Sequence, residues 1–153
     1  EKQLSGYEIH ILMASDSVKK WLKKIKPISK IRIYTYDMIS QNKFFELLSR
    51  TKLMISLSLS DGTPNVMLEA MAAGALPLMH PLDSIKEWLE DGENGILVHS
   101  LYPDRIRDAI DDGLTNNKLF EKAFSLNYEI IKRKADRNTI KKIIIKNYNS
   151  LFE

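Results

Sequence analysis

The sequence predicts an α/β domain built on a doubly wound parallel sheet, and three observations predict it. Short β-branched apolar runs alternate with amphipathic stretches from residue 7 to residue 98. Several runs, MISLSL among them, are apolar almost without interruption, as strands covered on both faces are. Crossovers between parallel strands are right-handed, which places helices on both sides of the sheet. Size and composition agree: 153 residues, 44% hydrophobic and 28% charged, suffice for one sizeable core and are too apolar for a disordered chain. The expectation is one domain over residues 1–153, with a helical segment from about residue 103 onward.

The elements follow in order. Residues 7–14 (YEIHILMA) read as the first strand, and Ser15, Asp16 and Ser17 offer a cap for an amphipathic helix over 18–25 that Pro27 closes. Residues 30–35 (KIRIYT) are a second strand, 42–50 a helix, and 53–59 a third strand. A helix over 64–73 ends at Gly74, and a strand over 75–79 follows. Next come a helix from Ile85 to about Glu90 and a strand over 96–98. After Val98 the strands stop. Residues 103–114 and roughly 118–152 read as helices, the last with Ile140, Ile143, Ile144, Tyr148 and Leu151 at helical spacing.

Composition removes whole classes of chemistry. Without cysteine there is no disulfide, no thiol nucleophile and no thiolate metal site. A net charge of +3 is weak evidence for a nucleic-acid partner, and none is expected. The apolar runs, under about 12 residues, are too short to cross a membrane, and residues 1–6 lack the pattern of a signal peptide. The expected location is cytoplasmic. Opening at Glu1 almost directly into a strand, the sequence reads as an N-terminally truncated piece of a longer chain.

Most of the information lies between Ser60 and Gly74. A strand ends near Leu59, Gly62 permits close backbone approach, and Thr63 followed by Pro64 reads as a cap and a first helical residue. A helix beginning at the carboxyl end of a central parallel strand, with free N–H groups and its positive dipole end, is a site for an anion such as phosphate. The helix VMLEAMAA is apolar nearly all round, so it should be buried, and its one carboxylate, Glu69, should then be met by donors or protonated. With Pro64 as first helical residue, Glu69 lies about 7.5 Å along the axis from the mouth, where Asp61 sits. Acceptor, anion pocket and acceptor would suit a ribose, a diphosphate and a hexose in a row. Taken singly, each acid has a plainer reading, Glu69 as a cap for a neighbouring loop and Asp61 as a turn residue before Gly62.

The stretch SLSDGTPNVMLEAMAAGALPLM, with IKEWLEDGENGILV after it, closely resembles the donor-binding segment of retaining glycosyltransferases of the family 4 (group 1) type. Their signature is a Glu, seven residues, then Glu before Ala-Met-Ala-x-Gly, followed downstream by an acidic-Gly-x-Asn-Gly turn. The resemblance implies the Rossmann-like C-terminal half of a two-domain GT-B fold. It implies that Glu69 holds the ribose hydroxyls of a nucleotide, and that Asp61, one methylene shorter than the usual Glu, contacts the transferred sugar. Gly62, Thr63, Pro64, Asn65 and Val66 would form the loop and helix start whose backbone amides meet sugar and phosphates, and Tyr36, Asp37 and Met38 the turn that meets the base through backbone groups. The reaction implied is transfer of a sugar from a nucleotide diphosphate sugar with retention, without cofactor or metal, in bacterial surface polysaccharide or glycolipid synthesis. In the family an Arg and a Lys on a preceding strand and helix neutralise the diphosphate, and the acceptor, a glycan or lipid-linked sugar, binds an N-terminal domain. Neither unit lies in these 153 residues, so the fragment is expected to hold part of a donor site and to be inactive alone. Two other readings stay open: a nucleotide-sugar 2-epimerase of related fold, and a noncatalytic nucleotide-sugar-binding module.

His80 follows a strand at the ligand edge but reads more simply as an incidental loop histidine. Ser84-Ile85-Lys86-Glu87 has the form of a capping box, and Asn94-Gly95 that of a turn into the next strand. Lys132, Lys134, Arg137, Lys141, Lys142 and Lys146 read as the solvated face of an amphipathic helix, with peripheral membrane contact as the second possibility. His10 and His99 have no acidic partners at ligand spacing, so no metal site is expected.

Overall fold

The most apolar short strand of the chain, LPLM, is buried along its whole length and organises the larger part of the fold. In a computed structural model, which describes residues 4, 6–25 and 29–151, the chain divides into two units, Glu1–Phe44 and Phe45–Glu153. Pro27, predicted to close the first helix, and Phe152, predicted within the last, lie outside the described residues.

In the first unit, β1 (Glu8–Leu12) and β2 (Arg32–Tyr36) run parallel, in register from Glu8 opposite Arg32 to Leu12 opposite Tyr36. The ladder continues one step, Met13 N–H donating to the Tyr36 carbonyl at 2.8 Å. Met13 has φ 53°, a left-handed conformation that an unbranched side chain tolerates at a cost. The chain then turns into α1 (Asp16–Ile25), where the Ser15 hydroxyl accepts from Val18 N–H at 3.4 Å and Leu22 is buried. One face of the ladder is polar and aromatic. Glu8 pairs with Arg32 at 3.0 Å, His10 Nδ1 and the Tyr36 hydroxyl are 2.9 Å apart, and the His10 ring stacks on Tyr34 and Tyr36. The division between the units falls within α2 (Gln41–Leu48).

In the second unit, β3 (Leu53–Ser56), β4 (Leu76–Met79) and β5 (Ile96–Leu97) form a parallel sheet in the order β3-β4-β5. Around it lie α3 (Asn65–Ala73), α4 (Asp83–Lys86), α5 (Pro103–Thr115), α6 (Asn117–Lys134) and α7 (Arg137–Asn149). Helices α3, α5 and α6 pack on β4. The core joins Leu76, Leu78, Ile96 and Val98 to Leu119 and Ala123 of α6. Two glycines make this packing possible. Gly74, at φ 85°, closes α3 in a Schellman motif, with Ala75 N–H donating to Ala70 O and Gly74 N–H to Met71 O. A Cβ there would also stand 2.7 Å from the Phe124 ring of α6. At Gly113 a Cβ would come within 2.8 Å of Leu53, so this glycine lets α5 lie close on β3.

The α/β class and the parallel pairing agree with the sequence. The described strands make two ladders, β1-β2 and β3-β4-β5, where the sequence suggests one sheet. Three local expectations are corrected. The strand over 53–59 stops at Ser56, because its partner β4 ends opposite it at Met79, and Leu59 is exposed. The long final helix is two. Asp136 stands in extended conformation and its carboxylate accepts from the Thr139 amide and hydroxyl, a cap that starts α7 afresh. The capping box at Ser84 does not form: Leu82 is the residue before α4, no side chain caps it, and the Ser84 hydroxyl donates to the Asp61 carbonyl instead.

Candidate functional site

α3 begins one residue later than the sequence suggests. Pro64, buried, with φ −72° and ψ 125°, is the N-cap residue, and its carbonyl accepts from Met67 and Leu68 at 3.0 and 3.4 Å. Proline pre-sets the φ and has no N–H of its own to satisfy, but its ring cannot cap, and Thr63 makes no cap bond in its place. The amides of Asn65 and Val66 therefore have no acceptor among the described residues. An uncapped first turn of an otherwise buried helix is an electropositive pocket of backbone donors.

The two acids bracket that turn along the chain. Asp61 is exposed, as are Gly62, Thr63 and Asn65. Glu69 is only partly buried, which corrects the expectation of an enclosed carboxylate, and it has no hydrogen-bond or ion-pair partner among the described residues, which removes its plainer reading as a cap for a neighbouring loop. The reason lies in the helix's packing. Met67, Ala70 and Met71 face the core, whereas Glu69 and the exposed Ala72 share the outer side. Both carboxylates are thus open to a ligand, and neither has a partner among the described residues, the contact of Asp61 with Ser84 being through its backbone carbonyl.

The elements around α3 add groups that the motif did not single out. Ser84 of α4 donates its hydroxyl proton to the Asp61 carbonyl at 3.2 Å. His80, just past β4, lies 3.1 Å through Nδ1 from the Val98 carbonyl, a contact that requires Nδ1–H as donor. Its ring is thereby oriented by β5's end, a structural duty. Asn94 and Asn127, 2% and 1% exposed, form a reciprocal amide pair: Asn94 Nδ2 donates to Asn127 Oδ1 and Asn127 Nδ2 to the Asn94 carbonyl, each at 2.9 Å. Asn94 also accepts from Glu90 N–H and donates to the Trp88 carbonyl, so its turn is locked to α6. A lone Asn on the core-facing side of a helix was the signal available for Asn127.

Tyr36, Asp37 and Met38 belong to the first unit. The Tyr36 side chain is committed to His10. Asp37 forms an ion pair with Lys19 of α1, and the hydrogen bond that the Lys19 ammonium donates to the Asp37 carboxylate, reinforced by its charge, raises the Lys19 pKa. Met38 is 87% exposed, which leaves this turn presenting backbone and one thioether to solvent. Among the described residues no group of three or more His, Asp or Glu side chains could hold a metal ion.

The sequence profile of the glycosyl transferases group 1 family matches residues 2–116, three quarters of the chain and both acids included. The chain belongs to that family. Solved glycosyl transferases have its fold, the Rossmann-like architecture of GT-B C-terminal domains. A pneumococcal O-GlcNAc transferase, GtfA, in complex with UDP and GlcNAc, superposes with a TM-score of 0.72 at 18% identity, over 99% of this chain and 31% of that one. A mutant of TarM from S. aureus, in complex with fondaparinux, α-GlcNAc-glycerol and UDP, gives 0.76 at 20% identity, over 97% and 30%. The C-terminal domain of a group 1 glycosyl transferase from Francisella tularensis, LpcC, gives 0.66 at 24% identity, over 78% and 62%. This group 1 chain therefore spans about a third of the length of the two full transferases. No curated protein matches it in sequence.

Proposed function

We propose that this chain is the donor-binding part of a glycosyltransferase that moves a hexose from a nucleotide diphosphate sugar, with retention of configuration, to a glycan or lipid-linked acceptor in bacterial surface polysaccharide or glycolipid synthesis. The observation that carries the reading is the uncapped start of α3 between two open acids, Asp61 and Glu69. In this reading the Asn65 and Val66 amides take the diphosphate, Glu69 the ribose hydroxyls and Asp61 the transferred sugar. No side chain need act as nucleophile, and no metal or other cofactor is required of these residues. The catalytic contribution is positioning the donor and stabilising the charge that develops on the leaving diphosphate, with backbone dipoles fixed before the reaction starts. The GtfA and TarM complexes contain UDP, which makes a uridine donor the first to test.

Peripheral contact with an anionic membrane is part of the reading. Residues 130–151 carry Lys132, Arg133, Lys134 and four further basic residues against the one acid Asp136, and α7 buries no residue.

Asp61→Ala and Glu69→Ala in the full-length parent test the assignment by steady-state transfer kinetics. Both should lower kcat/KM for the donor by roughly a hundredfold or more, as loss of a charged substrate contact does. Transfer at the parent's rate in both variants would support a noncatalytic module instead.

A further inference from the structure

The short helix α4 is fixed along its length, whereas the loop beside it is not. Ile85 and Leu89 are 1% and 3% exposed. The Leu82 amide donates to the His80 carbonyl, and beyond the helix the buried Asn94 carboxamide holds Trp88 and Glu90. Lys134 of α6 donates to the Glu87 carbonyl at 2.6 Å and lies over the Trp88 ring. By contrast, residues 58–63 are mostly exposed, and the Ser84 hydroxyl on the Asp61 carbonyl is the one hydrogen bond they make among the described residues.

We propose that Ser84 is a positioning residue of the donor site: from a fixed helix, its hydroxyl holds the Asp61 carbonyl and so sets the direction of the Asp61 side chain and of the Gly62 and Thr63 amides. The proposal rests on the nucleotide-sugar reading of this site. A loop that contains Gly62 and is otherwise unpinned samples many backbone states, and a ligand that needs one of them binds more weakly by the fraction of time the loop is elsewhere. One hydroxyl-to-carbonyl bond is worth about a fivefold shift in that population. The Ser84 hydroxyl makes this one hydrogen bond among the described residues, so its effect is local.

The test compares the 153-residue chain with Ser84→Ala and Ser84→Thr, using 15N relaxation on the free proteins and titration with UDP-glucose. In Ser84→Ala the order parameters of Gly62 and Thr63 fall and UDP-glucose binds about fivefold more weakly. The melting temperature stays the same, and Ser84→Thr, which keeps the hydroxyl, restores both readouts. Unchanged order parameters in Ser84→Ala, or wild-type affinity in a chain that binds UDP-glucose, would overturn the positioning role and leave the donor reading standing. A full-length parent blind to every nucleotide sugar would overturn the donor reading, and the positioning role with it.

Discussion

Helices α3 and α7 are built on opposite terms. α3 is held by packing: Met67 and Ala70 have no exposed surface, Met71 has 1%, and Gly74 closes the last turn. Its first turn is left without a cap, and donors remain free there. α7 buries nothing and is held by its start, where the Asp136 carboxylate takes the Thr139 amide and hydroxyl. A buried helix can leave its N-terminus open because its stability comes from elsewhere, and an unburied one cannot. The open start of α3 is where the proposed donor site lies.

The contrast breaks most visibly in the core. Met67→Ala should cost about 2–5 kcal/mol of unfolding free energy, read from the urea midpoint, because the cavity lies under a fully enclosed side chain. Gly74→Ala combines a left-handed φ with a Cβ 2.7 Å from the Phe124 ring, and should cost at least about 2 kcal/mol. Asn127→Leu leaves the Asn94 carboxamide without its partner and should cost about 1–3 kcal/mol. Little or no loss in any of these would mean that α3 and the turn it packs near are not held as described.

Asp136→Ala should act differently, lowering far-UV helicity through α7 while the urea midpoint of the rest stays put. The same contact gives a pH dependence. Hydrogen bonds from the Thr139 amide first, then its hydroxyl, hold the Asp136 pKa below its ordinary 3.8. The cap's stabilisation is therefore complete above about pH 4 and disappears as the pH falls through the lowered value. Helicity of α7 that is flat from pH 7 to pH 2 would contradict the cap.

Much of the fold was legible because it rests on local chemistry. Apolar runs made strands at β1, β3 and β4, and Gly74 ended α3 as its left-handed φ requires. The misreadings occurred where two local signals compete. Thr63 and Pro64 both suit a helix start, and the proline took the N-cap place. Ser84 has the pattern of a cap, but its hydroxyl found the Asp61 carbonyl, a partner 23 residues away that no spacing rule could name. The candidate site's two acids were readable from the helix, Asp61 before its start and Glu69 within it. Glu69's exposure was not, because which side of an all-apolar helix faces out depends on α6 and β4 packing against it.

The smallest structural effect and the sharpest functional one belong to Glu69. Glu69→Gln should leave stability within about 0.5 kcal/mol of the wild type, since its carboxylate has no hydrogen-bond or ion-pair partner among the described residues. The most direct test of the central claim is the 1H–15N spectrum of the chain titrated with UDP-glucose. The account predicts saturable shifts of the Gly62, Asn65, Val66 and Glu69 amides, with α7 unmoved, and loss of those shifts in Glu69→Gln. Shifts absent from the start of α3 with UDP- and GDP-sugars alike in the full-length parent, or equal in Glu69→Gln, would contradict it.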